Sequence, residues 1–354
     1  MRPVETDVSL LNYNTFGIDC RAKRFAVVEC VADLEALASE GYLAFSEFKV
    51  IGQGSNLVFG DTYEGTAVVM RNTGIQVVGE NDGYVLVEVA AGEVWDRFVK
   101  HAIGMGWFGI ENLVAIPGTV GAAAVQNIGA YGVEAKDAIE SVRVFDVENR
   151  RIESFAAGEC AYGYRDSMFK HVGRGRYIVV SVVFSLAKRF SPVLTYNALA
   201  EAISGMQNLD AATVARAIED IRWSKLPKPE ILGSAGSFFK NPLVPTEKYE
   251  ELKGEYPDMS AHTAEGGYKL AAGWLIDKCG WKGRTLGRCG VYEKQALVLV
   301  NRGGCTGEEV RALSEAIVGD VERKFGVALE CEAEFVGLEP PVCGKGQTTS
   351  ETPA

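Results

Sequence analysis

Residues 112–133, NLVAIPGTVGAAAVQNIGAYGV, carry no charged side chain, yet Pro117, Gln126, Asn127 and four glycines spoil them as an ordinary core helix. Something other than water has to lie against such a segment. Pro117 and Gly118 read as a turn, Thr119 as a helix N-cap, residues 121–128 as a short small-residue helix opening at Gly121, and Gly129 as its C-cap. Small side chains let backbone N–H groups approach a ligand closely, and a helix N-terminus draws phosphate through unpaired donors and its dipole. Two readings stay open: a cradle for a nucleotide cofactor, or a buried packing helix with a glycine turn. The Pro, Gly, Gln and Asn residues that interrupt the apolar run argue against a membrane span.

The rest of the 354-residue chain reads as walls around this segment, and the whole is long enough for two or three domains. A formal net charge of −11 argues against nonspecific nucleic-acid binding, although a local basic cluster can still hold a diphosphate. The start, MRPVETDV, has acidic residues where a secretion signal needs a positive end and an apolar run, and no later stretch reads as membrane-spanning. A cytoplasmic location is expected. The cysteines at 20, 30, 160, 279, 289, 305, 331 and 343 form no close pair and are expected to be reduced, mostly buried fillers. His101, His171 and His262 show no metal-ligand spacing, so neither a metal site nor a His-dependent triad is expected.

Asn14, Thr15, Phe16 and Gly17 open the fold, followed by the β-branched run RAKRFAVVECV and a short helix near residues 33–38. FKVIGQGSNLVF then gives a strand at 48–51, a turn Gly52, Gln53, Gly54, Ser55, Asn56, and a second apolar run at 57–59. A dinucleotide GxGxxG motif opens a helix after its strand, whereas here strand-like residues follow and the third glycine is missing. The turn is either an anion nest, with Ser55 and Asn56 as added partners, or a plain hairpin turn. Alternating runs at 66–70, 74–78 and 84–90 continue the β pattern, and Val94, Trp95, Phe98, Val99 and Ala102 mark an amphipathic helix ended by Gly104 and Gly106. Strands follow at 141–147 and 177–186, so the first half is α+β. Between them Tyr164, Arg165, Asp166 and Ser167 either hold a carboxylate through the guanidinium or form a local Arg165–Asp166 pair that stabilises a turn. SPVLTYNAL reads as a loop bearing an exposed Tyr196.

Residues 211–222 carry a helical stripe of Val214, Ala217, Ile218 and Ile221 behind an N-cap at Asp210, and KLPKP ends that helix at a domain boundary. In ILGSAGSFFKNP, Ser237 with Phe238, Phe239 and Lys240 has SxxK spacing, but SDN and KTG are both absent. Ser237 is either a shielded hydroxyl able to act as an acid or an ordinary turn serine. Residues 269–279 read as a buried helix. Lys282 and Arg284 lie in a glycine-flanked loop, and a strand follows at 296–300. Thr306 and Glu309 form a capping box for a helix with an inner stripe of Val310, Leu313, Ile317 and Val321, ended by Gly326. The last strand, VALECEAEFVG, alternates Glu330, Glu332 and Glu334 against Leu329, Cys331, Ala333 and Phe335. That acidic face is either a site in which one carboxyl acts as acid or donor, or simply solvated. The Pro-, Gly-, Ser- and Thr-rich tail at 338–354 is expected to be disordered.

NTFG, IGQGSNLVF, IPGTVGAAAVQNIGAYG, YGYRDS, GSFFKNP, AAGWLID and LECE, in this order from about Asn14 to Gly337, resemble the UDP-N-acetylenolpyruvoylglucosamine reductases, the MurB flavoenzymes of peptidoglycan-precursor synthesis. The Tyr196 loop looks like the variety with a tyrosine lid. The resemblance implies an α+β fold: a two-part FAD-binding region of the vanillyl-alcohol-oxidase (PCMH) type plus a smaller α+β substrate domain. The expected divisions are 1–70 and 71–222 for the two FAD-binding parts, 223–325 for the substrate domain, and 326–337 for the terminal strand. It implies noncovalent FAD, with contacts from Gly52, Gln53, Gly54, Ser55, Asn56, Pro117, Gly118, Thr119, Gly121, Asn127 and Tyr131, and NADPH as cosubstrate. It implies catalysis by Arg165 and Glu332, which bind and polarise the substrate carboxylate, and by Ser237 as proton donor. Tyr164, Tyr196, Lys225, Asn241 and Gln295 fall at substrate-contact positions. The implied partners are small molecules, a UDP-sugar and NADPH, for a monomer that binds neither nucleic acid nor membrane.

A catalytically silent nucleotide-sugar binding protein and another flavin oxidase of the same superfamily remain as alternatives; the joint presence of Arg165, Ser237 and Glu332 speaks against the first, and GSFFKNP with the glutamate strand against the second. Cys331 stands where proline is common in the family and Glu334 where a basic or neutral residue is expected. An acidic neighbour two residues from Glu332 implies an altered pH optimum. Glu334→Arg is therefore expected to move the optimum of the pH–rate profile, and an unchanged profile would exclude that influence.

Overall fold

A computed structural model describes residues 3–44, 47–206 and 208–342; the tail beyond Val342, including Cys343, lies outside the described residues, and 338–342 have no regular secondary structure. Two compact units emerge. The first comprises residues 1–9, 21–54 and 63–224, the second 10–20, 55–62 and 225–354. The expected boundary near 222 lies two residues from the observed one. The second unit also takes in 10–20 and 55–62, which the sequence had left in the first seventy residues, because 55–62 holds a strand that pairs with Glu334–Val336 and 10–20 hydrogen-bonds to Ser234 and Asn301.

In the first unit one sheet has the order Glu5–Ser9, Arg21–Val28, Thr62–Met70, Phe48–Ile51, the last pair being parallel. A second sheet is antiparallel, ordered Arg151–Ala156, Ile139–Asp146, Tyr177–Ala187, Tyr84–Ala90, Ile75–Glu80. Its inner strands follow from sequence: Tyr84–Ala90 alternates so that Val85, Val87 and Val89 are buried, whereas the central strand Tyr177–Ala187 is apolar almost throughout. Helices Trp95–Gly104 and Val120–Gln126 belong to the same core, where Trp95, Phe98 and Phe184 cluster with ring centroids 5.0–5.9 Å apart. Each such ring contributes about 1.5–3 kcal/mol by leaving water.

The second unit holds a sheet ordered Ser234–Ser237, Val298–Asn301, Cys289–Val291, Thr285–Leu286, and a smaller one ordered Leu243–Val244, Gly267–Leu270, Ala261–Ala264. Strand Glu334–Val336 pairs in parallel with Leu57–Phe59. This removes the hairpin reading of residues 52–56, since Phe48–Ile51 and Leu57–Phe59 belong to different sheets. The NTFG segment supports the first of these sheets: Thr15 exchanges hydrogen bonds with Ser234, and Asn301 Nδ2 donates to the carbonyls of Phe16 and Gly17. Helix Gly307–Phe325 has the expected Thr306–Glu309 capping box and a left-handed Gly326 cap, and Asp210 Oδ1 accepts from the Thr213 amide as an N-cap should.

Three expectations need correction. The helix placed at 269–279 begins only at Ala272, because Lys269 and Leu270 are claimed by the ladder on both sides, where Gly267 crosses the Val244 carbonyl too closely for any side chain. The helix placed at 121–128 spans Val120–Gln126 and is capped by left-handed Asn127, not Gly129; Thr119 makes no side-chain cap bond. The cysteines are not all reduced fillers: Cys289 and Cys305 form a disulfide, and Cys30 is exposed at the start of helix Val31–Ser39. The bonded sulfurs and Glu309 lie together, but Glu309 is already held by Arg288 and the Thr306 cap.

Asp146, fully buried at a strand end, gives a pH test. Burial alone would raise its pKa, but hydrogen bonds from Arg176 and Asn149 hold it down to about 2, against 3.8 for a free carboxyl. A carboxyl depressed by folding stabilises the protein above its unfolded pKa and loses that contribution as pH falls toward the folded one, here between about 4 and 2, for a total of about 2 kcal/mol. Asp146→Asn should therefore melt below the parent at pH 7 in calorimetry, with the gap closing between pH 4 and 2; a gap independent of pH would refute it.

Candidate active site

The two glycine turns predicted as nests meet within the first unit. A Cβ on Gly52 would stand 2.5 Å from Thr119 Oγ1, so only glycine allows this approach, and Gln53 Oε1 accepts from the Gly118 amide at 2.8 Å. Gly54 has φ +64 and Gly118 φ +133, both left-handed. The helix N-terminus, however, is not a set of unpaired donors: the Val120 and Gly121 amides donate to the carbonyls of Glu93 and Ala91, leaving that end tied to protein. The amides of Gln53 and Gly54 donate to no group among the described residues, so the backbone donors open to an anion are in this turn and not at the helix N-terminus. Asn127 is buried, and its amide serves protein, donating to Gly163 O and Glu134 and accepting from Lys136 N. Pro117 is half-buried beside Gly118.

Around the exit of the same stretch stand aromatic and cationic groups. Arg165, at φ +57, donates to Gly129 O at 2.5 Å, an approach open because Gly129 lacks a Cβ, and its guanidinium lies 5.2 Å from the Tyr164 ring centroid. Asp166 faces His171 at 2.8 Å. Tyr196 is exposed and meets Tyr131 edge-on at 5.1 Å. Asn112 Nδ2 donates both to Tyr131 O and to Val193 O, binding the base of the Tyr196 loop to that tyrosine. Burial raises the Tyr131 pKa, and desolvation lowers that of Arg222, whose guanidinium neighbours the Tyr131 side chain. Asp96, Asn112 and Arg222 were not singled out in the sequence; the only available signal was that the uncharged 112–133 stretch must borrow its charges from elsewhere.

The second unit carries the remaining predicted residues. Phe238 and Phe239 are buried while Ser237 is exposed at the end of its strand, so the hydroxyl is not shielded by these rings. Phe239 bridges Cys331, with Glu332 N donating to Phe238 O at 2.8 Å and Lys240 N to Glu330 O at 2.9 Å. Asn56 Nδ2 donates to Glu332 O at 2.9 Å, and Asn56 O accepts from Glu334 N. Ser237 and Glu332 are thus fixed on neighbouring segments; the terminal strand expected at 326–337 spans only Glu334–Val336, so Glu332 stands just before it, held by the isolated Phe239–Cys331 bridge. Glu330 is the solvated member of the acidic row and pairs with Lys240 at 2.5 Å; Glu332 and Glu334 are half-buried. Asn241 Oδ1 accepts from the Ala272 amide at 3.0 Å, and Gln295 lies against Gly273, so these two converge at the start of helix Ala272–Lys278. Ser55 is half-buried, and Lys225 is exposed at the end of helix Ala211–Lys225.

Residues 22–153 match the FAD binding domain family and residues 228–336 the C-terminal domain family of UDP-N-acetylenolpyruvoylglucosamine reductase. The chain is 45% identical to that reductase from Paraburkholderia phymatum over 96% of its length and 98% of the relative's, and 45% identical to the one from Bacteroides fragilis over 94% and 100%. A crystal structure of the Thermus caldophilus reductase (MurB) aligns with a TM-score of 0.66 at 26% identity, covering 94% of this chain and 99% of that one. The FAD-binding part and the α+β class are borne out, and the chain belongs to the UDP-N-acetylenolpyruvoylglucosamine reductase family of FAD-dependent oxidoreductases of peptidoglycan-precursor synthesis.

Proposed function

We propose that this protein uses NADPH to reduce UDP-N-acetylglucosamine enolpyruvate to UDP-N-acetylmuramate, in the cytoplasm and as a monomer whose partners are these small molecules. The observation that carries the reading is the backbone lock that fixes the Ser237 and Glu332 segments side by side. FAD fits the glycine cradle: Gly52 lets the two turns close on each other where a Cβ would collide with Thr119, and the Gln53 and Gly54 amides supply donors. Gly52, Gln53, Gly54, Ser55 and Asn56 hold the diphosphate, with Pro117, Gly118, Thr119 and Gly121 behind them. Tyr131 borders the cofactor, and Asn127 acts by shaping the turn. The site is read as metal-free.

Bound FAD supplies hydride transfer, from NADPH to the terminal carbon of the enolpyruvyl group. Arg165 binds the substrate carboxylate with its planar fork, and Glu332 polarises it, so that charge built up by hydride addition is accommodated there. Ser237 gives a proton to the carbon bearing the carboxylate, completing a two-electron reduction of the double bond as NADPH is oxidised. Tyr164 and Tyr196 cover the substrate, Tyr196 as the lid. Lys225 meets the UDP phosphates, and Asn241 and Gln295 orient the sugar nucleotide.

Anaerobic spectra separate the two half-reactions. A flavin spectrum should bleach with NADPH and return on adding UDP-N-acetylglucosamine enolpyruvate. Ser237→Ala should bleach as the parent does, while the return slows by about 10²–10⁴-fold. A protein that stays colourless after incubation with FAD, or a flavin never reoxidised by the enolpyruvyl compound, would overturn the reading.

A further inference from the structure

Ala115, three residues after Asn112, has φ +57, a left-handed conformation that a residue with a Cβ adopts at a cost. It is 5% exposed and opens the turn that leads through Ile116 and Pro117 to Gly118. Both of its peptide groups are held from outside the turn. Asp96 Oδ1, from the first turn of helix Trp95–Gly104, accepts from Ala115 N at 2.6 Å, and Arg222 Nε, from helix Ala211–Lys225, donates to Ala115 O at 3.2 Å. The guanidinium also neighbours the side chain of Tyr131, another left-handed residue of the segment at φ +50. Arg222 therefore touches both ends of the 112–133 stretch and makes no ion pair among the described residues.

We propose that Arg222 and Asp96 are positioning residues for FAD: a clamp that holds Ala115 left-handed and so sets the 117–121 turn against Gly52. This rests on the proposed assignment of the Gly52 and 117–121 turns to the cofactor. The clamp needs the arginine fork. Nε donates to Ala115 O while the planar guanidinium keeps its place beside Tyr131, whereas a lysine presents one nitrogen on a flexible stem. It also needs the alanine, because glycine takes φ +57 without penalty and makes an external hold less necessary.

The test measures FAD release on dilution of the holoenzyme by the rise in flavin fluorescence. Arg222→Lys and Arg222→Gln should both raise the FAD dissociation constant by about tenfold or more, the effect of losing hydrogen bonds to a charged group. Adding Ala115→Gly should restore most of that affinity. Asp96→Ala removes the hold from the opposite end and should show the same loss and the same rescue, which keeps the test open if the Arg222 variants do not fold. Parent-like affinity in Arg222→Lys, or losses that Ala115→Gly leaves unchanged, would overturn the clamp. Gly52→Ala should release FAD independently; if it retains FAD, the cradle assignment fails instead.

Discussion

The parallel pairing of Leu57–Phe59 with Glu334–Val336 is the constraint on which the second half of the site depends. It brings Asn56 to Glu332 across a sequence separation of 276 residues, and the bond from the Asn56 amide to the Glu332 carbonyl sets where that glutamate leaves the backbone. Beyond it the chain continues antiparallel to the Ser237 segment through the Phe239–Cys331 bridge. That bridge uses the amides of Glu332 and Lys240, not that of Cys331. A proline at this position would therefore cost the bridge no hydrogen bond.

Local chemistry was legible wherever the sequence alone determines it. The Thr306–Glu309 box, the Asp210 cap and the alternation of Tyr84–Ala90 depend on neighbours a few residues away, and they appear as read. What the sequence could not reveal was competition for backbone donors. The Val120 and Gly121 amides look available in any local reading of PGTVG, yet distant Glu93 and Ala91 carbonyls take them. The same holds for residues 52–56, where strand, turn and strand suggest a hairpin until the terminal strand claims one side. The Cys289–Cys305 pair was hidden because sixteen residues separate the cysteines in sequence, while the Cys289–Asn301 register closes most of that gap in space.

Charge shows the same separation of scales. The net charge of −11 argues against nonspecific binding to nucleic acid, but the 112–133 segment is uncharged and is served by Arg165 and Arg222 from other elements. Arg165 uses one nitrogen on Gly129 O, and Lys170 holds the Arg165 carbonyl at 2.9 Å, so the direction of the guanidinium is set by backbone contacts as well as by its own rotamer. In the proposed role of Arg165 a substrate carboxylate would meet a donor already oriented, which spares part of the ordering cost of binding.

Backbone conformation points to the same place. Ala115, Asn127, Tyr131 and Arg165 are all non-glycine residues with positive φ, and all border the uncharged segment. Unfavourable conformations persist only where the surroundings over-determine them, and each of these is held: Ala115 by Asp96 and Arg222, Asn127 by Gly163 and Lys136, Tyr131 by Asn112, Arg165 through Lys170. A packing helix with a glycine turn has no need of such bracing; it could relax toward ordinary dihedrals at little cost to its core. A cradle does need it, because backbone donors and a guanidinium can serve a ligand only if they stay in place when the ligand is gone. Concentrated bracing thus favours the ligand-binding reading of residues 112–133 over the packing reading on physical grounds separate from any family likeness.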